Sequence, residues 1–186
     1  VVEKQSVLIE KKNKSITSSI RYAKRIQDSI LPLSEKLNEH LPHSFIFFRP
    51  KDIVSGDFYW FNRVNGCTLV AAVDCTGHGV PGAFMSLIGN NILNHITGDL
   101  KISDPKIILE KLHEGVVHTL KKNELESGTV DGMDITLCVI HHEKNKMEFA
   151  STGRPIFLIS NGELKKIKVG KHPVGLVTKK EATFEK

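Results

Sequence analysis

The feature that most constrains the fold is an apolar run that ends in an aspartate and continues through a glycine-rich turn into a helix. It is VAAVDCTGHGVPGAFMSLIGNNILNHI, from Val70 to Ile96. Consecutive apolar residues predict a buried strand. Pro81 suits the first turn of a helix, because the N–H that it lacks would have no partner there. A strand that ends in a carboxylate beside such a turn is also arranged to hold a charge.

A second aspartate is brought to the same place by a hairpin. Residues 54–64 and 68–74 are predicted strands, and the Asn65-Gly66 pair between them is a strong hairpin signal. Pairing about that turn places Asp57 and Asp74 at the same end of the ladder. Two carboxylates about 4 Å apart repel by roughly 4 kcal/mol at an effective dielectric constant near 20. A proton, an arginine or a metal ion must therefore offset the repulsion.

The residue types leave two interpretations of this pair open. Arg49 and Arg63 are candidate structural partners for the carboxylates. Alternatively, an all-oxygen ligand set favours a hard cation, Mg²⁺ or Mn²⁺, over zinc. The turn at residues 75–79 adds backbone carbonyl and N–H groups, and it leads into a helix N-terminus that favours an anion such as phosphate. The residues alone thus indicate a metal site with a phosphate-sized neighbour.

The remaining pattern predicts an α+β domain rather than a doubly wound one. Asp104 and Pro105 begin a second predicted helix, and Gly98 is the predicted cap of the first. Residues 128–131 are a predicted loop, and Asn161-Gly162 is a second predicted hairpin turn. Further strands are predicted at residues 45–48, 135–141, 147–151, 156–159 and 164–169.

The N-terminal region is predicted to be a separate long helix. Apolar residues recur every seven positions, at Val2, Ile9, Ile16, Ala23 and Ile30. Pro32 ends or kinks this helix. We therefore predict a linker helix at residues 1–32, a connector at 33–44 and a globular domain at 45–186. The apolar seam fits either packing against that domain or a coiled coil that makes a homodimer or transmits a signal.

Composition excludes several classes of protein. The net charge is +5, but the lysines are dispersed and no basic stripe alternates with aromatic residues, so no nucleic-acid partner is expected. Three cysteines without paired spacing suggest free thiols in a reducing cytoplasm. No apolar run reaches the ~20 residues of a membrane helix. A nucleotide-binding domain is disfavoured, because no glycine-rich loop ends in Lys-Ser/Thr.

Four segments carry a family resemblance, which spans about residues 42–176. They are KDIVSGDF (51–58), DCTGHGVPGA (74–83), DGMDITL (131–137) and STGRP (151–155). Together they resemble the SpoIIE-type (RsbU-like) branch of the metal-dependent, type 2C-like (PPM) protein phosphatases. The Gly-Asp-Phe strand and the Asp-x-x-Gly-His-Gly turn are the specific part of the match. The lead-in helix is also similar to helices that link an upstream sensor to such phosphatases.

The resemblance implies a fold, a reaction and a set of site residues. The fold would be an αββα sandwich of two antiparallel sheets flanked by helices, with two Mn²⁺ or Mg²⁺ ions in the complete domain. Asp57, Asp74 and the carbonyl of Cys75 would bind metal, and a metal-activated water would hydrolyse phosphoserine or phosphothreonine. His78 would either donate a proton to the leaving oxygen or, as we favour, brace the turn. Asp134 stands where the family has an apolar or variable residue, so we expect a structural or peripheral role.

Two departures from the family pattern affect the functional prediction. Arg154 replaces part of a Gly-His-Asn-Pro type loop, and its role is open between phosphate and a partner surface. The closing Ser/Thr-Asp-Gly and Asp-Asp-x-Thr segments do not follow Gly175, so we expect a C-terminally truncated domain. The resemblance implies a bacterial signalling phosphatase acting on a phosphorylated regulator such as an anti-sigma-factor antagonist. The alternative is an inactive phosphatase-like module for dimerisation or docking.

Overall fold

The chain forms a four-stranded antiparallel sheet, a separate two-stranded sheet and a set of helices. The computed structural model describes residues 2–120, 131–167, 170–176 and 184. The helices are α1 (Val2–Ile30), α2 (Ser34–His40), α3 (Gly79–Asn94), which continues into a π-helical turn (His95–Asp99), and α4 (Pro105–Thr119). The strands are β1 (Phe58–Val64), β2 (Cys67–Cys75), β3 (Met133–His141), β4 (Lys146–Ser151), β5 (Ile156–Ser160) and β6 (Glu163–Ile167). These elements confirm the α+β class and the long N-terminal helix.

The main sheet has the strand order β1-β2-β3-β4, and every neighbouring pair is antiparallel. Its first hairpin turns at Asn65 and Gly66, which both have positive φ (51° and 78°). Two such residues in succession are what a tight type I′ hairpin requires. Asn161 and Gly162 do the same between β5 and β6, with φ of 53° and 79°. Both predicted hairpins are confirmed.

The core lies between one face of the main sheet and the helices α3 and α4. Alternate residues of the two central strands face the helices and are almost fully buried, because strand side chains point to opposite faces in turn. These strand residues are Leu69, Ala71, Val73, Met133, Ile135, Leu137 and Val139. The helices contribute Met85, Leu93, Ile108, Leu109, Leu112 and Val116. The side chain of Asp104 caps α4 by accepting from the N–H groups of Lys106 (2.9 Å) and Ile107 (3.2 Å), as predicted.

The opposite face of the main sheet forms an open groove of about 640 Å³. Val70, Ala72 and Cys138 line it from the sheet, and residues 44–49 line it from the chain that precedes β1. The prediction of a strand at residues 45–48 is wrong. No strand of the described chain pairs with them, and the side chains of Phe45 and Phe47 remain 89% and 83% exposed.

Helix α1 packs against the domain only through its second half. Gln27 is its buried residue, whereas Val2, Ile9 and Ile16 of the heptad are between 57% and 80% exposed. The C-terminal part of the seam therefore packs on its own domain, and the N-terminal part presents apolar side chains to solvent. The homodimer through this helix stays a prediction. The 33–44 connector also contains a short helix, α2, which the sequence pattern does not predict.

Two other details concern the predicted elements. Gly98 does not cap α3: it lies inside the π-helical turn, where the Leu100 N–H bonds back to the His95 carbonyl (3.1 Å). Residues 128–130 of the predicted loop and residues 168–169 of the last predicted strand lie outside the described part of the chain. None of the described helices has the length and apolar character of a membrane span.

Candidate functional site

Three aspartates form a row across three neighbouring strands at one end of the main sheet. Asp74 on β2 is paired directly with Asp134 on β3. Phe58 is paired with Val73, so continuing the register places Asp57, just before β1, opposite Asp74. Directly opposed residues share a face of the sheet, and these three lie on the face away from the helices. The predicted juxtaposition of Asp57 and Asp74 is what this register produces.

Burial and the charge of Asp74 disfavour the ionisation of Asp57 and Asp134. The pKa of Asp57 is raised above its ordinary value, first by partial burial and then by the negative charge and hydrogen bonding of Asp74. Burial also raises the pKa of Asp134, and the charge of Asp74 adds to that effect. A raised carboxyl pKa means that the negative form lacks sufficient positive compensation. The site is thus a place where added positive charge would be stabilising.

Arg154 supplies part of the compensation. Its guanidinium donates a hydrogen bond to the Asp74 carboxylate, and its Nε lies 3.8 Å from the Asp134 Oδ2. Arg154 also lowers the pKa of both Asp57 and Asp134, but in each case burial outweighs it. The side chain is 60% exposed. An exposed arginine at the end of a loop is a displaceable counterion, because solvent screens its attraction to the carboxylate.

Glycines allow the two sequence motifs to pack backbone against backbone. A Cβ at Gly82, in the first turn of α3, would lie 2.7 Å from the Gly77 carbonyl oxygen and 2.9 Å from the Cα of Gly56. A Cβ at Gly56 would lie 2.8 Å from the same carbonyl and 3.2 Å from that of Cys75. These distances leave no room for a side chain. The Gly-Asp-Phe segment and the Gly-His-Gly turn can therefore pack this closely only because Gly56 and Gly82 have no Cβ atom.

Cys75 and His78 occupy different positions relative to the aspartate row. The Cys75 carbonyl faces Gly56, the residue before Asp57. The Cys75 thiol is buried, and burial followed by the charges of Asp57 and Asp74 raises its pKa, so the thiol stays protonated. His78 precedes α3 and is exposed, with its Nδ1 3.0 Å from the Asp52 Oδ2. The imidazole thus contacts Asp52 rather than an aspartate of the row.

Helix α1 is fastened to the segment that precedes Asp57. The buried side-chain amide of Gln27 donates to the Ser55 carbonyl (2.6 Å) and accepts from the Ser55 N–H (2.9 Å). The same amide nitrogen lies 2.8 Å from the Ser86 Oγ on α3. The Ser55 hydroxyl in turn accepts from the Asp57 N–H (3.0 Å). A continuous set of hydrogen bonds therefore joins the lead-in helix to the first aspartate.

The donor set partly fits the hard cation that the sequence suggests. Asp57, Asp74 and the Cys75 carbonyl offer only oxygen atoms, which suit Mg²⁺ or Mn²⁺. The raised pKa of Asp57 reveals negative charge that a cation would neutralise. In the described part of the chain, however, no three His, Cys, Asp or Glu side chains are arranged to hold a metal by themselves. Asp57, Asp74 and the Cys75 carbonyl would therefore supply only part of the ligand set of a divalent cation.

Two members of this cluster, Asp134 and Arg154, make contacts that the sequence pattern does not predict. Asp134 is expected to have a structural or peripheral role, and the structure pairs it with Asp74 in the row. The available signal is its place in the strand, because an aspartate between the buried residues Met133 and Ile135 must point to the other face. The role of Arg154 is open in the sequence, and only the fold shows that its loop returns to the aspartates.

Comparisons with known proteins agree with this architecture. The profile of the stage II sporulation protein E (SpoIIE) family matches residues 65–186. The SiaA-PP2C domain of Pseudomonas aeruginosa is 27% identical with a TM-score of 0.79, over 94% of this chain and 66% of that one. The PP2C phosphatase domain of SpoIIE from Bacillus subtilis, solved with a fragment of its regulatory domain, shares the fold. Its TM-score is 0.52 at 18% identity, over 71% of this chain and 37% of that one.

A bacterial stressosome structure, from a modular system adapted to control secondary messenger signaling, also shares the fold. Its TM-score is 0.54 at 18% identity, over 74% of this chain and 64% of that one. No curated protein matches the chain significantly. The chain spans at most about two thirds of the length of these three structures. The fold is the predicted phosphatase 2C-like one, and the family profile covers well over half of the residues. The chain belongs to the SpoIIE family of phosphatase 2C-like (PPM) proteins.

Proposed function

We propose that the protein is a divalent-cation-dependent phosphatase that hydrolyses phosphoserine or phosphothreonine on a regulatory partner protein. The observation that carries the proposal is the opposition of Asp57 and Asp74 beside the Gly-His-Gly turn, with incompletely compensated negative charge. Family membership supports the phosphatase fold. In this arrangement residues 45–186 form the phosphatase domain, 1–32 a linker helix and 33–44 a connector.

In this proposal Asp57, Asp74 and the Cys75 carbonyl would hold Mn²⁺ or Mg²⁺. Such ions supply a nucleophilic water at neutral pH and neutralise phosphate charge. Two ions are expected in the complete domain, so further ligands would have to join these three oxygen donors. The Cys75 thiol takes no part, because its raised pKa keeps it neutral.

The cationic and polar residues of the site have distinct proposed roles. Arg154 pairs with Asp74 until a cation binds, and its exposed guanidinium is then released to contact a phosphate oxygen. A planar guanidinium suits phosphate because it offers parallel donors. His78 braces the turn through Asp52. Because a carboxylate only accepts hydrogen bonds, Nδ1 of His78 carries the proton in that contact.

The partner is proposed to be a phosphorylated signalling protein. The stressosome structure comes from a modular system that controls secondary messenger signaling, which supports a regulatory substrate. The three free cysteines at positions 67, 75 and 138 favour a reducing compartment such as the cytoplasm.

A phosphatase assay tests the proposal. Release of phosphate from a phosphoserine peptide is measured with Mn²⁺ and with a chelator, for the full-length protein and its Asp57→Asn and Asp99→Asn variants. Asp99 pairs with His95 in the π-helical turn and is a matched control. We expect Mn²⁺-dependent turnover that falls at least about 100-fold in Asp57→Asn alone. Turnover in the chelator, or equal turnover in both variants, would contradict a metal site at Asp57.

A second candidate function is a docking or dimerisation module without catalysis. The exposed apolar side chains in the first half of α1 favour it; they are Val2, Val7, Leu8, Ile9 and Ile16. Sedimentation of the parent and of Ile16→Asp tests this candidate. A parent dimer that dissociates in the variant would support it, and a monomer in both would exclude self-association through this helix.

A further inference from the structure

A cysteine, a histidine and a glutamate are connected at the end of the main sheet opposite the aspartate row. The Cys67 Sγ lies 3.2 Å from the His141 Nδ1, and the His141 Nε2 lies 2.9 Å from the Glu148 Oε2. The Nζ of Lys146 holds the other oxygen of that glutamate at 2.7 Å. The three groups belong to three neighbouring strands, β2, β3 and β4. No role in the proposed phosphatase reaction accounts for them.

The sheet register explains why the three side chains meet. Thr68 is paired with Ile140, so continuing the ladder places Cys67 opposite His141, and Glu148 is paired with Val139. All three therefore lie on the helix-facing side, where the hydrophobic core ends. The next residue, His142, contacts a different side chain, with its Nε2 2.8 Å from the Thr68 Oγ1.

The hydrogen-bond partners determine the tautomer of His141. An ionised glutamate only accepts hydrogen bonds, so the Nε2 of His141 must carry a proton and donate it to Glu148. In the neutral imidazole the lone pair is then on Nδ1, which faces the Cys67 thiol. This arrangement of nucleophile, base and orienting carboxylate is the one that activates nucleophiles in enzymes.

In the part of the chain that the structure describes, Cys67 has a histidine partner, and no histidine is hydrogen-bonded to Cys75 or Cys138. Burial raises the pKa of both the Cys75 and the Cys138 thiol, and at Cys75 the charges of Asp57 and Asp74 add to that effect. Cys138 is more accessible to solvent than Cys67, which is 8% exposed. Solvent exposure therefore favours the thiol that has no histidine partner. Accessibility alone therefore predicts that Cys138 reacts faster, whereas a histidine base predicts Cys67.

We propose that Cys67 is a redox-reactive thiol, with His141 as its base and Glu148 as the positioning residue, and that small hydroperoxides are its reagent. His141 takes the thiol proton, and the sulfur attacks one peroxide oxygen. An S–O bond forms and the O–O bond breaks. The sulfur is oxidised to a sulfenic acid, and the leaving hydroxide takes the proton from the imidazolium to become water. The peroxide supplies the oxidising equivalents, and the atoms balance as thiol plus peroxide giving sulfenic acid plus water.

Site-resolved oxidation tests the proposal. The whole chain is treated with hydrogen peroxide and a 1,3-dione that traps sulfenic acids, and each cysteine-containing peptide is quantified by mass spectrometry over time. We expect Cys67 to be trapped at least about tenfold faster than Cys138 in the same sample. Equal rates, or faster trapping of the more accessible Cys138, would overturn the proposal without any variant.

Two matched histidine variants test the base. His141→Gln is expected to slow Cys67 trapping at least about tenfold and to leave the Cys138 rate unchanged. His142→Gln, on the adjacent residue, is expected to change neither rate. A His141→Gln variant that keeps the parental Cys67 rate would show that the contact is only structural. A rise in the Cys138 rate would indicate that the His141→Gln variant unfolds.

Glu148→Gln then provides the second test. We expect slower trapping at Cys67 in this variant, and an unchanged rate would overturn the role of Glu148.

Discussion

The guanidinium of Arg154 donates a hydrogen bond to the carboxylate of Asp74, so an internal cation occupies the centre of the three-aspartate row. Arg154 comes from the loop after β4, whereas Asp74 lies near the end of β2. A metal ion that binds Asp74 must compete with this ion pair. The pair is exposed to solvent, which makes it weak enough to exchange.

Replacing Arg154 with glutamine should strengthen Mn²⁺ binding. The variant removes the competing charge, and an exposed pair of this kind is worth up to about 1 kcal/mol, so the affinity should rise about twofold to fivefold. Calorimetric titration with Mn²⁺ measures the change. Arg63→Gln, an exposed arginine on β1, is the control and should leave the affinity unchanged. A weaker affinity in Arg154→Gln would mean that the arginine assists the site rather than competing with it.

Replacing Asp57 with asparagine should stabilise the metal-free protein at neutral pH. The folded pKa of Asp57 is raised above the ordinary 3.8, so the folded state binds this proton more tightly than the unfolded state does. Ionisation of Asp57 therefore lowers the free energy of unfolding as the pH rises from about 3.8 through the folded pKa. The variant lacks this penalty, and its Tm at pH 7 in chelator should rise by about 1–3 °C.

Scanning calorimetry between pH 4 and pH 7 checks this prediction. The difference in Tm between Asp57→Asn and the parent should grow with pH. Glu163→Gln, an exposed residue of β6, should show no such growth. A variant with a lower Tm than the parent at pH 7 would mean that ionised Asp57 contributes favourable interactions, which is the opposite of what a raised pKa implies.

Removing the Gln27 amide should cost far more stability than its helical position suggests. Gln27→Ala leaves the N–H and the carbonyl of Ser55 without their partner in a buried place, at an expected cost of about 2–3 kcal/mol in the free energy of unfolding. Gln5→Ala, on the exposed part of the same helix, is the matched control and should change it by less than about 0.5 kcal/mol. Urea unfolding measures both, and equal effects would disprove the anchoring role of Gln27.

Alanine at Gly82 should disrupt the contact between the two motifs. Its Cβ would meet the Gly77 carbonyl and the Cα of Gly56, which are backbone atoms that cannot rotate away. We expect a loss of about 2–3 kcal/mol in the free energy of unfolding. Gly98→Ala is the control, because nothing lies within 4 Å of a Cβ there and the glycine lies in a helical turn. That variant should be neutral or stabilised by up to about 1 kcal/mol, and a similar loss in both would refute the steric argument.

The sequence predicts most of the local structure near the site, because short-range signals determine it. Asn65-Gly66 sets the hairpin, and the hairpin sets the register that opposes Asp57 to Asp74. Pro81 lies in the first turn of α3, as expected. Strand patterning fails at residues 45–48, where four apolar residues line a groove without a pairing partner in the described chain. Phe45 and Phe47 of this run remain largely exposed, so four consecutive apolar residues predict neither a strand nor full burial here.

Long-range relationships are the ones that the sequence does not predict. Arg154 is 80 residues from Asp74, and Gln27 is 28 residues from Ser55. Neither pairing has a local pattern, because both depend on how separate elements pack. The Cys67–His141–Glu148 connection is of the same kind, since it needs the register of three strands. Local signals place the aspartates, and the tertiary fold places their partners.

Calorimetric titration of the chain with Mn²⁺ is the most direct test of a cation site at Asp57 and Asp74. The parent, Asp57→Asn, Asp74→Asn and the control Asp99→Asn are titrated under the same conditions. We predict binding to the parent and to Asp99→Asn, with a dissociation constant on the order of 10⁻⁴–10⁻³ M for so small a ligand set, and its loss in both of the other variants. A parent that binds no Mn²⁺, or that binds it equally well without either carboxylate, would contradict a cation site at this pair.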